Sequence, residues 1–74
     1  MNDERRKKIK LAIDRISEAR ALVEEARDEE QEYFDNMPES FQQGEKGQGA
    51  EEVVSGLDEV ASNLEDAESS LEEL

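Results

Sequence analysis

Seventy-four residues with 22 acidic and 9 basic side chains carry a net charge of −13, enough for one small domain. The absence of Cys and His removes the thiolate nucleophile, the imidazole base and the usual zinc ligands. No hydrophobic run approaches the ~20 residues needed to span a bilayer, and the charge disfavours anionic membranes and direct contact with nucleic acid.

The start, MNDERRKKIK, is basic but is not followed by an apolar h-region, so no signal peptide is expected. Zero cysteine fits a cytoplasmic protein. High charge and three aromatic residues are common in disordered chains. Here the few apolar residues fall in register, which predicts order.

Helix one is expected over about residues 3–37. Ile9, Ala12, Ile16, Ala19, Val23, Ala26, Tyr33 and Met37 follow three- and four-residue steps, interrupted only by Glu30. That spacing predicts an a/d heptad seam. Ile13, Leu22 and Phe34 widen it to the stripe of a bundle helix. Ala12, Ala19 and Ala26 recur every seven residues, which predicts close packing of a neighbour on that row. Alanine's helix propensity alone also accounts for them.

The stretch from Glu30 to Phe41, EQEYFDNMPESF, closes this helix and turns the chain. Pro38 lacks an N–H and disfavours helical geometry at Met37. Tyr33, Phe34, Met37 and Phe41 cluster at this end. They are read as the seal of a helical hairpin, with an interface patch as the alternative. Residues 38–49 hold three of the four glycines and the only proline, which predicts the connecting loop.

Helix two is expected over about residues 50–74, its start falling between Gly44 and Ala50. Ala50, Val53, Leu57, Val60, Leu64, Ala67, Leu71 and Leu74 hold heptad steps, flanked by Val54 and Ala61. Gly56 interrupts the helix as a close contact or a tolerated weak spot.

Residues 1–20 carry +3 and residues 50–74 carry −9. An antiparallel hairpin sets the basic part of helix one beside the acidic end of helix two. Arg15, Lys10 or Arg20 then face Glu65, Asp66, Glu68, Glu72 or Glu73. Helix one is the longer, so its first eight residues are expected to project or fray. A hairpin this short buries little. The fold class predicted is all-α: an antiparallel, coiled-coil-like helical hairpin that dimerises into a four-helix bundle.

Enzymatic chemistry has no foothold. Glu-x-x-His is impossible without His, no EF-hand loop is present, and GEKGQG lacks the Lys-Ser/Thr of a phosphate-binding loop. No catalytic, cofactor-binding or metal residue is assigned, and no cofactor. The feature with functional content is the run of acidic pairs Glu51–Glu52, Asp58–Glu59, Glu65–Asp66 and Glu72–Glu73, one per heptad, placed at b and c of the predicted seam. Helix one adds Glu18, Glu25 and Glu32, also seven apart. Carboxylates repeated on a rod can stand in for nucleic-acid phosphates in a basic cleft. They serve equally as the solvated face of a coiled coil.

Arg27 to Gln42, RDEEQEYFDNMPESFQ, with the glycine-containing loop and the acidic heptads after it, resembles a group of small acidic proteins encoded by bacteriophages and prophages. The specific part is EEQEYFDNMPES, residues 29–40. The resemblance covers roughly residues 9–74. It implies phage origin and a helical hairpin, not an activity, and it transfers no site residue. Analogy with small acidic phage proteins as a class directs the expectation to a host protein. The function expected is a non-enzymatic binding protein directed at a host nucleic-acid-binding or defence protein, as a DNA mimic or inhibitor. The alternative is a structural or assembly protein whose seam only mediates oligomerisation.

Overall fold

The computed structural model describes residues 1–74. It is all-helical: α1 spans Asp3–Asp35, α2 Glu39–Gln42 and α3 Glu45–Glu72. The start of α1 is set by Asn2, whose Oδ1 accepts the Arg5 backbone N–H at 2.9 Å. Asp3 and Glu4 in the first turn complement the helix dipole. Residues 3–8 are therefore helical and capped by Asn2, and all of residues 1–8 are exposed.

Two boundaries differ from expectation. The first helix ends at Asp35 rather than residue 37, where Asn36 caps it and Met37 N–H donates to the Phe34 carbonyl at 3.1 Å. The region 38–49 is mostly helix, not loop. Pro38 offers its carbonyl to the N–H groups of Phe41 and Gln42 at 2.9 and 3.1 Å, which starts α2. Gln42 Nε2 donates to the Phe34 carbonyl at 3.1 Å and ties this turn back to α1. Gly44 then caps α3 in an extended conformation, so Gly47 and Gly49 lie inside the helix.

Gly47 explains that tolerance. A Cβ built there would lie 2.0 Å from the Gln42 carbonyl oxygen, so α3 can leave the corner this closely only at a glycine. The contact outweighs the propensity cost of about 1 kcal/mol.

α3 returns antiparallel along α1. Arg20 meets Glu68 and Arg27 meets Asp58, partner numbers falling as those of α1 rise. The particle is a rod of 58 × 14 × 12 Å. Because the corner uses few residues, the end of α3 reaches the start of α1, where Met1, Ile9 and Ile13 share a hollow with Leu71 and Leu74.

The inward rows correct the predicted seam by one residue on each helix. On α1 the half-buried residues are Ile9, Ile13, Ile16, Arg20, Val23, Arg27, Glu30 and Phe34, with Ala12 and Gln31 beside them, and Met37 continues the line in the turn. On α3 the buried or half-buried line is Gly47, Ala50, Val54, Leu57, Ala61, Leu64, Glu68 and Leu71, with Ala67 alongside. The row through Ile9, Ile16 and Val23 is as predicted, and so is the row through Ala50, Leu57, Leu64 and Leu71. Their companions are Ile13, Arg20, Arg27 and Phe34, not Ala19, Ala26 and Tyr33, which are exposed. Likewise Val54, Ala61 and Glu68 replace Val53, Val60 and Leu74. Of the alanine row, Ala12 is half-buried while Ala19 and Ala26 make no close intrachain packing. Long arginine stems cover apolar surface while their heads stay wet, which lets Arg20 and Arg27 hold core positions.

Only Gly47, Ala50 and Val54 are buried, all at the corner end. Two helices cover two rows each, and the remaining apolar residues stay open.

Candidate functional site

Heptad letters follow from the inward rows. Let a be Ile13, Arg20, Arg27 and Phe34 with Gly47, Val54, Ala61 and Glu68. Let d be Ile9, Ile16, Val23, Glu30 and Met37 with Ala50, Leu57, Leu64 and Leu71. Reversing a helix reverses the sense in which its rows run round the axis. In an antiparallel pair the two e rows therefore share one side of the seam and the two g rows share the other.

The e side is polar. Arg20 Nε donates to Glu68 Oε1 at 2.9 Å and its Nη1 lies 3.3 Å from Glu24 Oε1 on row e. Arg27 Nε donates to Asp58 Oδ1, also on row e, at 2.9 Å. Both guanidiniums are held above their ordinary pKa. For Arg20 the hydrogen bond to Glu68 and its charge dominate; for Arg27 it is the bond to Asp58 and its charge. Glu65, another e residue, adds attraction at Arg20. Arg15, expected across the seam, instead pairs along its own helix with Glu18 at 3.1 Å.

The acidic pairs of α3 thus lie on rows e and f rather than b and c: the e member of each pair flanks the seam and the f member points away from it. All eight carboxylates are exposed. Asp58 is engaged by Arg27; Glu51, Glu52, Glu59, Glu65, Asp66, Glu72 and Glu73 make no ion pair. From Glu51 to Glu73 the helix rises about 33 Å. Eight charges over that length give one per ~4 Å, close to the 3.4 Å per charge of a single nucleic-acid strand and sparser than a duplex. A shallow hollow on this edge is lined by Gln48, Glu51, Glu52, Ser55, Gly56 and Glu59, with no apolar residue. Such an edge offers acceptors to cationic side chains.

The g side is apolar and open. From Gly47 to Leu74 every carboxylate falls on rows e or f, apart from Glu68 on a. The g row of α3 is Val53, Val60, Ala67 and Leu74, and that of α1 is Ala12, Ala19, Ala26 and Tyr33. Val53 is 46% exposed, Val60 43% and Leu74 74%. Beside them Leu22 is 66% exposed. Gly56 has open space where a Cβ would stand, so it makes no intrachain contact.

The aromatic turn divides between its two readings. Phe34 and Met37 are half-buried, whereas Tyr33 and Phe41 are exposed. Phe41 carries Lys46 Nζ at 5.9 Å from its ring centre, a cation–π distance.

Arg20 facing Glu68 is among the cross-helix pairs expected from the charge distribution, but sequence reasoning missed that Arg20, Arg27 and Glu68 stand on the inward rows themselves. Their signal was present: Ile13, Arg20, Arg27 and Phe34 are seven apart, as are Val54, Ala61 and Glu68. No known protein family, curated protein or solved structure matches the chain. Fold and faces together define the class as an antiparallel two-helix hairpin with one acidic and one apolar side. No helix is long and apolar enough to cross a membrane.

Proposed function

We propose that this protein is a non-enzymatic binding rod whose acidic edge engages a basic protein surface of the kind that accepts nucleic acid. The observation that carries the reading is the set of seven exposed carboxylates on rows e and f of α3 that no cation of the hairpin neutralises. Spread over about 33 Å, one charge per ~5 Å, they suit a cleft built for a single strand better than one built for a duplex. A rigid helix holds them without the ordering cost that a disordered acidic tail incurs. The resemblance of residues 29–40 to phage-encoded proteins directs the reading to a partner in a bacterial host cytoplasm, where such binding inhibits the partner.

The test is a pull-down from bacterial lysate at low and high salt, with duplex and single-stranded DNA as competitors. The reading expects capture of a nucleic-acid-binding protein that salt and DNA both displace. Reversing Glu51, Glu52, Glu65 and Asp66 to Lys should abolish capture while helical circular dichroism survives. Capture that is indifferent to DNA and to these four changes would refute it.

A second reading, favoured by the exposed Val53–Val60 row, is an assembly protein whose hairpins pack into a four-helix bundle. It expects the four reversals to leave assembly intact.

A further inference from the structure

We propose that the g side of the hairpin is the contact with a second copy of this chain. The two copies lie with their corners at the same end, α1 of each over α3 of the other. The inference rests on the assembly reading for its partner and adds the face, the orientation and the residues.

Area is the first argument. The hairpin exposes 5698 Å². A compact protein of 8.4 kDa exposes about 4,600 Å². The excess of about 1,100 Å² is comparable with the ~800 Å² each partner gives up in a standard interface.

Charge selects the occupant and the face. Association of two chains of −13 is opposed wherever their carboxylates meet. The g rows carry no acidic residue, the neighbouring c row of α3 is Gly49, Gly56, Asn63 and Ser70, and that of α1 (Lys8, Arg15, Leu22 and Glu29) holds a single carboxylate. This is the side on which two such chains can meet without opposing acidic edges.

Charge and shape then select the orientation. With corners at opposite ends, a two-fold axis would place α3 against α3, setting −9 beside −9. With corners together, α1 lies antiparallel over α3 of the second copy. A two-fold along the rod keeps each residue at its own level. With Arg20 opposite Glu68 and Arg27 opposite Asp58, Ala26 of one copy comes level with Val60 of the other, small against large, and Tyr33 with Val53. The +3 segment at the start of α1 also comes beside the acidic end of the second copy's α3. The e and f rows remain outermost, so the dimer keeps two acidic edges.

Sedimentation equilibrium from micromolar to millimolar concentration tests this. The expectation is a mass twice 8.4 kDa for the native chain, and a helical monomer for Val53→Lys with Val60→Lys. Those side chains are exposed in the hairpin, so its fold does not depend on them. A spin label on Gln43→Cys (the chain has no other cysteine) reads the orientation without disturbing the face. Corners together place the two labels within about 30 Å, given helix spacings of 8–10 Å. Corners apart place them near the 58 Å rod length. A native chain monomeric at millimolar concentration overturns this inference and the assembly reading together. A dimer that persists in the double lysine variant, or long label distances, overturns this inference and leaves the assembly reading standing.

Discussion

Arg20 Nε sits 2.9 Å from Glu68 Oε1, 48 residues away along the chain, and both residues stand on the a row. Glu68 keeps 12% of its side chain exposed. A polar pair on a hydrophobic seam is better suited to fixing register than to adding stability. Arg20→Leu combined with Glu68→Leu is therefore expected to raise the melting temperature, because two leucines bury apolar surface on the seam that a partly wet ion pair leaves open. Glu68→Leu alone should lower it, leaving Arg20 with only its exposed partner on α1. Thermal melts of the two single variants and the double variant give the coupling directly. The double variant should also lose register specificity, read as broadened amide resonances across the seam.

The corner depends on Gly47. Gly47→Ala forces a methyl against the Gln42 backbone and should destabilise the hairpin by about 2 kcal/mol or more, the range for a core overpacked against backbone. Gly56→Ala meets nothing within 4 Å and should stabilise α3 by up to about 1 kcal/mol. Urea titration followed by circular dichroism separates the two signs. If both glycines behaved alike, the close approach at the corner would be wrong.

The inward and the exposed rows of α3 should respond in opposite ways. Leu57→Asp or Leu64→Asp places a carboxylate on the inward d row and should cost about 3 kcal/mol, enough to unfold a small domain. Val60→Lys changes the exposed g row and should leave monomer helicity unchanged. Equal loss of helix in Val60→Lys and Leu57→Asp would return the seam to the register the alanines and valines first indicate.

Salt should act on the two faces with opposite sign. Screening weakens attraction between the acidic edge and a basic partner. The same screening relieves repulsion between two chains of −13 and strengthens an apolar contact. Raising NaCl should therefore dissociate the captured partner and tighten self-association. Salt-weakened self-association would mean that ion pairs hold the dimer.

The period of both helices, their antiparallel pairing and the place of the reversal are legible in the sequence, because Ile9, Ile16, Val23, Leu57, Leu64 and Leu71 keep step over many turns. The choice of companion row is not. Each helix carries three rows that fit the same alternation, and hydrophobicity alone prefers Ala19, Ala26, Val53 and Val60 to Arg20, Arg27, Ala61 and Glu68. A single neighbour covers two rows, and the ion pairs to Glu68 and Asp58 decide which two. That decision depends on a residue 31 or 48 positions away, which local periodicity does not weigh. The helical corner was hidden for a related reason, since three glycines within six residues mark a loop until Gly47 is seen against Gln42. For the candidate site, the acidic pairs were legible as an exposed periodic edge. Their nearness to the seam, and Arg27's hold on Asp58, follow from the register and were not.

Tyr33 offers the most direct measurement. It is the only tyrosine in a chain without tryptophan, it stands on the g row, and the hairpin leaves it 52% exposed. Acrylamide quenching of its fluorescence should be strong at micromolar concentration and fall as the chain dimerises, and should stay strong throughout in the Val53→Lys, Val60→Lys variant. Quenching that stays constant while the native chain dimerises, or a Tyr33 already shielded in the dilute monomer, would contradict an apolar row left open by the hairpin and closed by a second copy.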